Sequence, residues 1–222
     1  MERTIRVTGK GKLSIKPDMI RLRLNLEETQ LDYESALKMS AEFTEMLKDI
    51  FENLGFERSS LKTLYFNVDT VYENYQDRNK SWKRRFEGYK FMHRMKIEFQ
   101  ADNVLLGKVL YALAHCPAKP EFSIEYSVSD VEKCKNELLG KAIEDSKMKA
   151  KVLTEAAGVN LENILTIDYS WGEIDFVTKP VNEMMLRCCE EDSCEEPNGY
   201  SMDIEADDID VTDTVTVVWN IS

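Results

Sequence analysis

Ile5-Arg6-Val7-Thr8-Gly9-Lys10-Gly11-Lys12-Leu13-Ser14-Ile15-Lys16-Pro17-Asp18-Met19-Ile20-Arg21-Leu22-Arg23-Leu24-Asn25-Leu26 decides how the chain begins to fold. Ile5, Val7, Leu13 and Ile15 occupy odd positions, whereas Ile20, Leu22, Leu24 and Leu26 occupy even ones. Side chains of a strand alternate between two faces, so this pattern cannot change phase without an extra residue. The stretch reads as strands separated by a bulge or break at Pro17-Asp18, where a missing proline N–H is tolerated. Gly9-Lys10-Gly11-Lys12 reads as a turn within the first part.

Further along, Asp32 is placed to cap a helix over about 33–54, with Leu37, Phe43, Met46, Leu47, Ile50, Phe51 and Leu54 on one stripe and Gly55 as its stop. Two long alternating strands follow, one on Leu64, Phe66, Val68, Thr70 and Tyr72, the other from Tyr89 to Phe99. Between them Asn74–Arg85 reads as the long tip of a β-hairpin. Asp102 opens a helix over 103–115 that Pro117 ends, and a strand over 121–128 comes next. The longest helix spans about 130–157, with Leu138, Leu139, Ala142, Ile143, Ser146, Ala150, Leu153 and Ala157 facing inward. Gly158 stops it. Strands at Asn163–Trp171 and 209–221 complete an order ββα-ββα-βαββ. Short connections imply mostly antiparallel pairing, and helices must cover one sheet face, so the fold class is α+β. The chain reads as a single domain over 1–222, with 173–208 as an insertion or loop that lacks any sustained period.

The 222 residues carry 41 acidic and 29 basic side chains, a net charge of −12. Residues 173–213 hold 14 acidic and 2 basic residues, so this segment carries the whole excess and the remainder is neutral. Nine glycines and five prolines among 43% apolar residues exclude collagen-like and wholly disordered chains. No apolar run reaches the length of a membrane span. The start shows no apolar leader, and five cysteines at 116, 134, 188, 189 and 194 do not form a disulfide framework. A cytoplasmic setting is the expectation.

Catalytic patterns are scarce. Gly9-x-Gly11-x-x-Ser14 leads into a strand rather than a helix N-terminus, so it is not a phosphate loop. His93 sits on the apolar face of a strand, as a core histidine with one bonded nitrogen. His115 and Cys116 point about 100° apart on a helix and do not form a pair. Cys188, Cys189 and Cys194 lack zinc spacing, and their acidic surroundings disfavour thiolates. The acidic run 203–208 lacks the glycine and glutamate of a calcium loop. No catalytic residue, cofactor or metal is expected. An enzyme would need a site assembled from distant strands.

The distinctive polar feature is the hairpin tip. Arg78, Lys80, Lys83, Arg84 and Arg85 crowd together with Trp82 among them and Tyr72, Tyr75 and Phe86 beside them. This is the candidate interaction surface. It suits an acidic protein surface. It also suits single-stranded nucleic acid by charge and stacking, a reading the overall acidity disfavours.

The assembled pieces resemble the SIMPL-domain family, which includes periplasmic immunogenic proteins of bacteria. The resemblance rests on Ile5-x-Val7-x-Gly9-x-Gly11-x5-Pro17-Asp18 with the strand to Leu26, on Gly55-Phe56 and Leu61-Lys62-Thr63, and on Tyr89-x-Phe91. It rests also on Ala142-x3-Ser146-x3-Ala150-x6-Ala157-Gly158-Val159 and on Ile209-x-Val211-x3-Val215-x-Val217. It covers nearly the whole chain outside 173–208. It implies no catalytic residues, a link to oxidative-stress tolerance and, for some members, ring- or channel-like oligomers. The family's name comes from an animal member associated with a kinase in inflammatory signalling. Two departures are the absent signal peptide and the cysteine-containing acidic insertion. The resulting expectation is a non-enzymatic, self-associating bacterial protein. In it the basic tip of one subunit meets the acidic segment of another.

Overall fold

The computed structural model describes residues 3–77, 80–169, 174–178 and 205–222. Its elements are β1 (Thr4–Ile15), β2 (Met19–Gln30), α1 (Tyr33–Asn53), β3 (Lys62–Gln76), β4 (Trp82–Gln100) and α2 (Asn103–Ala114). Then come β5 (Glu121–Ser127), α3 (Val131–Ala157), β6 (Leu161–Asp168), the two-residue β7 (Val177–Thr178) and β8 (Ile209–Ile221). The α+β class and the expected element order hold, with β7 added. The strands divide into two antiparallel sheets, because the chain passes from one compact unit to another at Asp18/Met19 and returns at Glu125/Tyr126.

The first unit comprises residues up to 18, 126–178 and 206–222. Its sheet runs β1-β8-β6, with Ile5 opposite Trp219 and Leu13 opposite Val211. The Gly9–Lys12 turn is not there: β1 continues unbroken from Thr4 to Ile15. Both glycines are buried against α3 instead. The odd phase shared by Val7, Gly9, Gly11 and Leu13 carried that signal, since a turn would have had no reason to preserve it. On α3 the buried stripe is Leu138, Ala142, Ser146, Ala150 and Thr154, a strict four-residue ridge. Leu153, expected inward, is half exposed, and Ala157 is exposed as well. The ridge is made of small residues at its centre because it seats against two glycines. Asp145 on α3 accepts the Lys10 N–H at 2.7 Å and pairs with Lys149 at the same distance. The Lys149 hydrogen bond, then that of Lys10, hold the Asp145 carboxyl below its ordinary range. Val7, Ala142, Ala150, Val215, Val217 and Trp219 form one core cluster, and Leu13, Val128, Leu138, Phe176, Ile209 and Val211 another.

Among the described residues the second unit comprises 19–125 and Glu205, except 78 and 79, which lie outside them. Strands β3, β4, β2 and β5 lie side by side in that order. Ile20, Leu22, Leu24 and Leu26 share a face with Phe91, Met95 and Ile97 under α1. Edge-to-face contacts Phe43–Phe91, Phe51–Phe56 and Phe56–Phe99 help seat the helix. The sequence signals at the helix ends are realised. Asp32 accepts from the Ser35 N–H at 2.8 Å, Asp102 caps α2 through Val104 and Leu105, and Gly55 and Gly158 adopt positive φ. Among the described residues no helix is long and apolar enough to cross a membrane.

Candidate interaction surface

The hairpin tip differs from its expected form. Asn74–Arg85 is not a long loop, because β3 and β4 stay paired out to Gln76 and Trp82. Past the paired strands Lys80 takes φ 58°, and the Asp77 carbonyl accepts its N–H. Strand β2 accompanies β4 only from Tyr89 onward. The outer part, Tyr72–Gln76 with Trp82–Gly88, is therefore a two-stranded ribbon beyond the edge of the sheet.

Alternation sorts the candidate residues onto two faces. A bulge between Val71 and Tyr72 shifts the register, so Phe86 lies opposite Tyr72 and Arg84 opposite Asn74. One face carries Trp82, Arg84, Phe86 and Tyr72. Trp82 is 71% exposed, and the Arg84 guanidinium stands 4.8 Å from the Tyr72 ring centroid. Edge-to-face contacts continue from Tyr72 to Phe86, from Phe86 to Tyr89 and from Tyr89 to Tyr33 at the start of α1. The other face carries Lys83 and Arg85. Lys83 pairs with Asp77 at 2.8 Å, and Arg85 pairs with Glu73 at 2.5 Å beneath the Tyr75 ring. Two of the cations thus meet carboxylates, Glu73 of β3 and Asp77 just past its end, whereas Arg84 on the aromatic face is held by stacking on Tyr72. Arg78 lies outside the described residues, as do Cys188, Cys189 and Cys194.

The other polar candidates resolve into structural roles. His93 is buried, and both its nitrogens are bonded rather than one. The Thr44 hydroxyl donates to the Ser40 carbonyl at 2.7 Å, so its oxygen accepts from Nδ1–H of His93 at 3.1 Å. Nε2 then accepts from the Thr63 hydroxyl at 2.8 Å. Burial, with the Lys48 charge adding to it, holds the imidazole below its ordinary range. His115 caps α2, its Nδ1–H donating to the Tyr111 carbonyl at 2.8 Å, while Cys116 is buried beside it. Both lie past the last residue of α2 rather than on the helix, and no hydrogen bond joins them among the described residues. Burial pushes the Cys134 thiol up, and Asp130 and Glu137 reinforce the shift. Among the described residues no group of three or more His, Cys, Asp or Glu is placed to hold a metal.

Sequence reading overlooked the polar face of the second unit's sheet, opposite α1. There Arg21 pairs with Glu98 at 2.6 Å and Arg23 with Glu125 at 2.8 Å. The Glu125 side chain is only 3% exposed. The odd-numbered Arg21, Arg23 and Asn25 were the signal, since they alternate with the core leucines of β2.

The family profile for SIMPL, described as a protein of unknown function (DUF541), matches residues 5–219. The chain belongs to the SIMPL family. Two SIMPL relatives are each named 26 kDa periplasmic immunogenic protein. The one from Brucella melitensis biotype 1 is 24% identical over 163 residues, which is 73% of this chain and 65% of the relative. The one from Brucella abortus is 23% identical over the same coverage. The chain thus spans less than two thirds of those relatives' own length. Their name assigns them to the periplasm, and it lends no support to the cytoplasmic expectation for this SIMPL chain.

Proposed function

We propose that this SIMPL-family chain is a non-enzymatic, self-associating protein whose subunits engage through the β3–β4 ribbon tip. The observation that carries the reading is the ribbon beyond β2, with Trp82, Tyr72 and Phe86 exposed on one face around Arg84. A two-stranded ribbon is marginal in water on its own, and covering its apolar face would stabilise it. Aromatic residues and arginine are the types enriched at the centres of protein interfaces. The acidic segment 173–213 of a second copy, at net −12, is the complementary surface. Contact between two different patches is head-to-tail, and such contacts generate rings when the rotation closes. The relatives' periplasmic name supports an envelope setting, and the family resemblance points toward stress tolerance.

Light scattering across a salt series tests the reading. An oligomer is expected at low salt, dissociating as the Debye length contracts toward about 8 Å at physiological ionic strength. Trp82→Ala combined with Arg84→Ala is expected to give a folded monomer that melts somewhat earlier than the assembled wild type. A wild-type monomer at low salt would sink the proposal.

A second reading has one observation in its favour: Trp82, Arg84 and Tyr72 form a stacking platform for single-stranded nucleic acid on a body that is electrically neutral overall. Salt-sensitive quenching of Trp82 fluorescence by oligonucleotides, abolished in Trp82→Phe, is its signature.

A further inference from the structure

On the face of the second unit's sheet opposite α1, four strands contribute one side chain each to a transverse row. Tyr65 of β3 is the register partner of Arg94 of β4, and Arg94 is the partner of Asn25 of β2. Asn25 Nδ2 donates to Glu121 Oε2 of β5 at 3.2 Å. The Arg94 guanidinium lies over the Tyr65 ring, 5.7 Å from its centroid. A cleft of about 340 Å³ opens at this row, with Arg94, Asn25, Glu121, Ser123, Leu64 and Phe122 in its lining. That volume is at the small end of ligand sites, the size of a small metabolite rather than a peptide.

The charged ends of this row form no close ion pair, though Glu27 of β2 lies within electrostatic reach of Arg94. Neighbouring rows consume theirs in the pairs Arg21–Glu98 and Arg23–Glu125. Arg94 and Glu121 enter no ion pair among the described residues. They do not meet each other, because Asn25 stands between them. Two strand spacings of about 4.8 Å separate their backbones, so both side chains reach a ligand lying over Asn25. Asn25 Oδ1, shut off from solvent, has no donor among the described residues, so Asn25 meets the cleft through the amide nitrogen that holds Glu121. Arg94 offers a planar fork that fits a carboxylate. Leu64, 47% exposed, supplies apolar surface at the edge of the row. The complementary molecule carries an anion and a cation a few bonds apart and one apolar group.

We propose that this cleft binds a free α-amino acid with an apolar side chain, its carboxylate on Arg94 and its ammonium on Glu121. The site is separate from the ribbon tip and shares no residue with it. Titration calorimetry with L-phenylalanine, hydrocinnamate and phenethylamine tests each arm, the last two lacking the ammonium and the carboxylate. Saturable binding of L-phenylalanine is expected, with both truncated compounds at least about tenfold weaker. Glu121→Gln is expected to weaken L-phenylalanine about tenfold while leaving hydrocinnamate within about twofold. Arg94→Met is expected to weaken both. Both side chains are exposed and outside close ion pairs, and Glu121→Gln keeps an acceptor for Asn25, so the melting temperature without ligand should fall only slightly. If Arg94→Met melts early, Arg94→Lys, which keeps the charge and loses the fork, takes its place and should still weaken both compounds. Absence of saturable binding for L-phenylalanine and L-leucine at millimolar concentration overturns the proposal. So does undiminished binding in Glu121→Gln or in the Arg94 variant.

Discussion

Gly9 of β1 lies against Ser146 of α3 so closely that a Cβ on Gly9 would stand 2.6 Å from the Ser146 backbone nitrogen and 2.7 Å from its Cβ. Helix backbone cannot yield as the end of a flexible side chain can. Gly9→Ala is therefore expected to cost about 3 kcal/mol, the upper part of the range for overpacked cores. Urea unfolding measures it. A loss below about 0.5 kcal/mol, the scale of a neutral surface change, would show that the helix can withdraw.

Ser146 presents the opposite case. It is fully buried, and its Oγ has no hydrogen-bond partner among the described residues. A buried hydroxyl without a partner carries its desolvation cost uncompensated. Ser146→Ala is expected to be neutral or to stabilise by up to about 1 kcal/mol. Thermal melting of the two proteins side by side decides it, and a clear loss in Tm would indicate that the hydroxyl has a bonded water.

Asp18 ties the end of the first passage between units to the start of α3. Its Oδ1 accepts the Ser129 N–H at 2.7 Å, its Oδ2 accepts the Ser129 hydroxyl at 2.5 Å, and its own N–H donates to the Ser127 carbonyl at 3.1 Å. Asp18→Ala removes both side-chain bonds and leaves the Ser129 N–H to water. The expected cost is about 1 kcal/mol, modest because the site is exposed. Hydrogen exchange at the Ser129 amide should quicken in the variant, and an unchanged rate would refute the assignment.

His93 gives stability a pH dependence. Its folded-state pKa is depressed by burial and then by Lys48, so the unfolded chain takes up the proton first. The contribution is complete above the ordinary value of 6.5 and is lost as pH falls from there toward the folded pKa. Urea unfolding at about pH 7.5 and about pH 5.5 should show wild type losing stability on acidification. His93→Gln should be less stable at the higher pH yet lose less between the two. An equal loss in both proteins would exclude His93 as the source.

Much of the architecture was legible because it is local. The phase change at Pro17-Asp18, the caps Asp32 and Asp102, and the stops Gly55 and Gly158 each act within a few residues, and each is realised. The residues of the tip were legible as well, since basic and aromatic types cluster in sequence. Their form was not. Cross-strand pairing extends β3 to Gln76 and β4 back to Trp82, and composition does not reveal such pairing before the partner strand is in place.

By itself the sequence determined which residues alternate, which stripes are apolar, where helices begin and end, and where the negative charge is concentrated. These follow from chain geometry and local bonding. Only the tertiary structure decided that Pro17-Asp18 divides two sheets, and that Gly9 and Gly11 admit a helix instead of making a turn. It alone set Arg94, Asn25 and Glu121 in one row. Those outcomes depend on contacts between residues about 70 to 140 positions apart, whose energies no local pattern encodes.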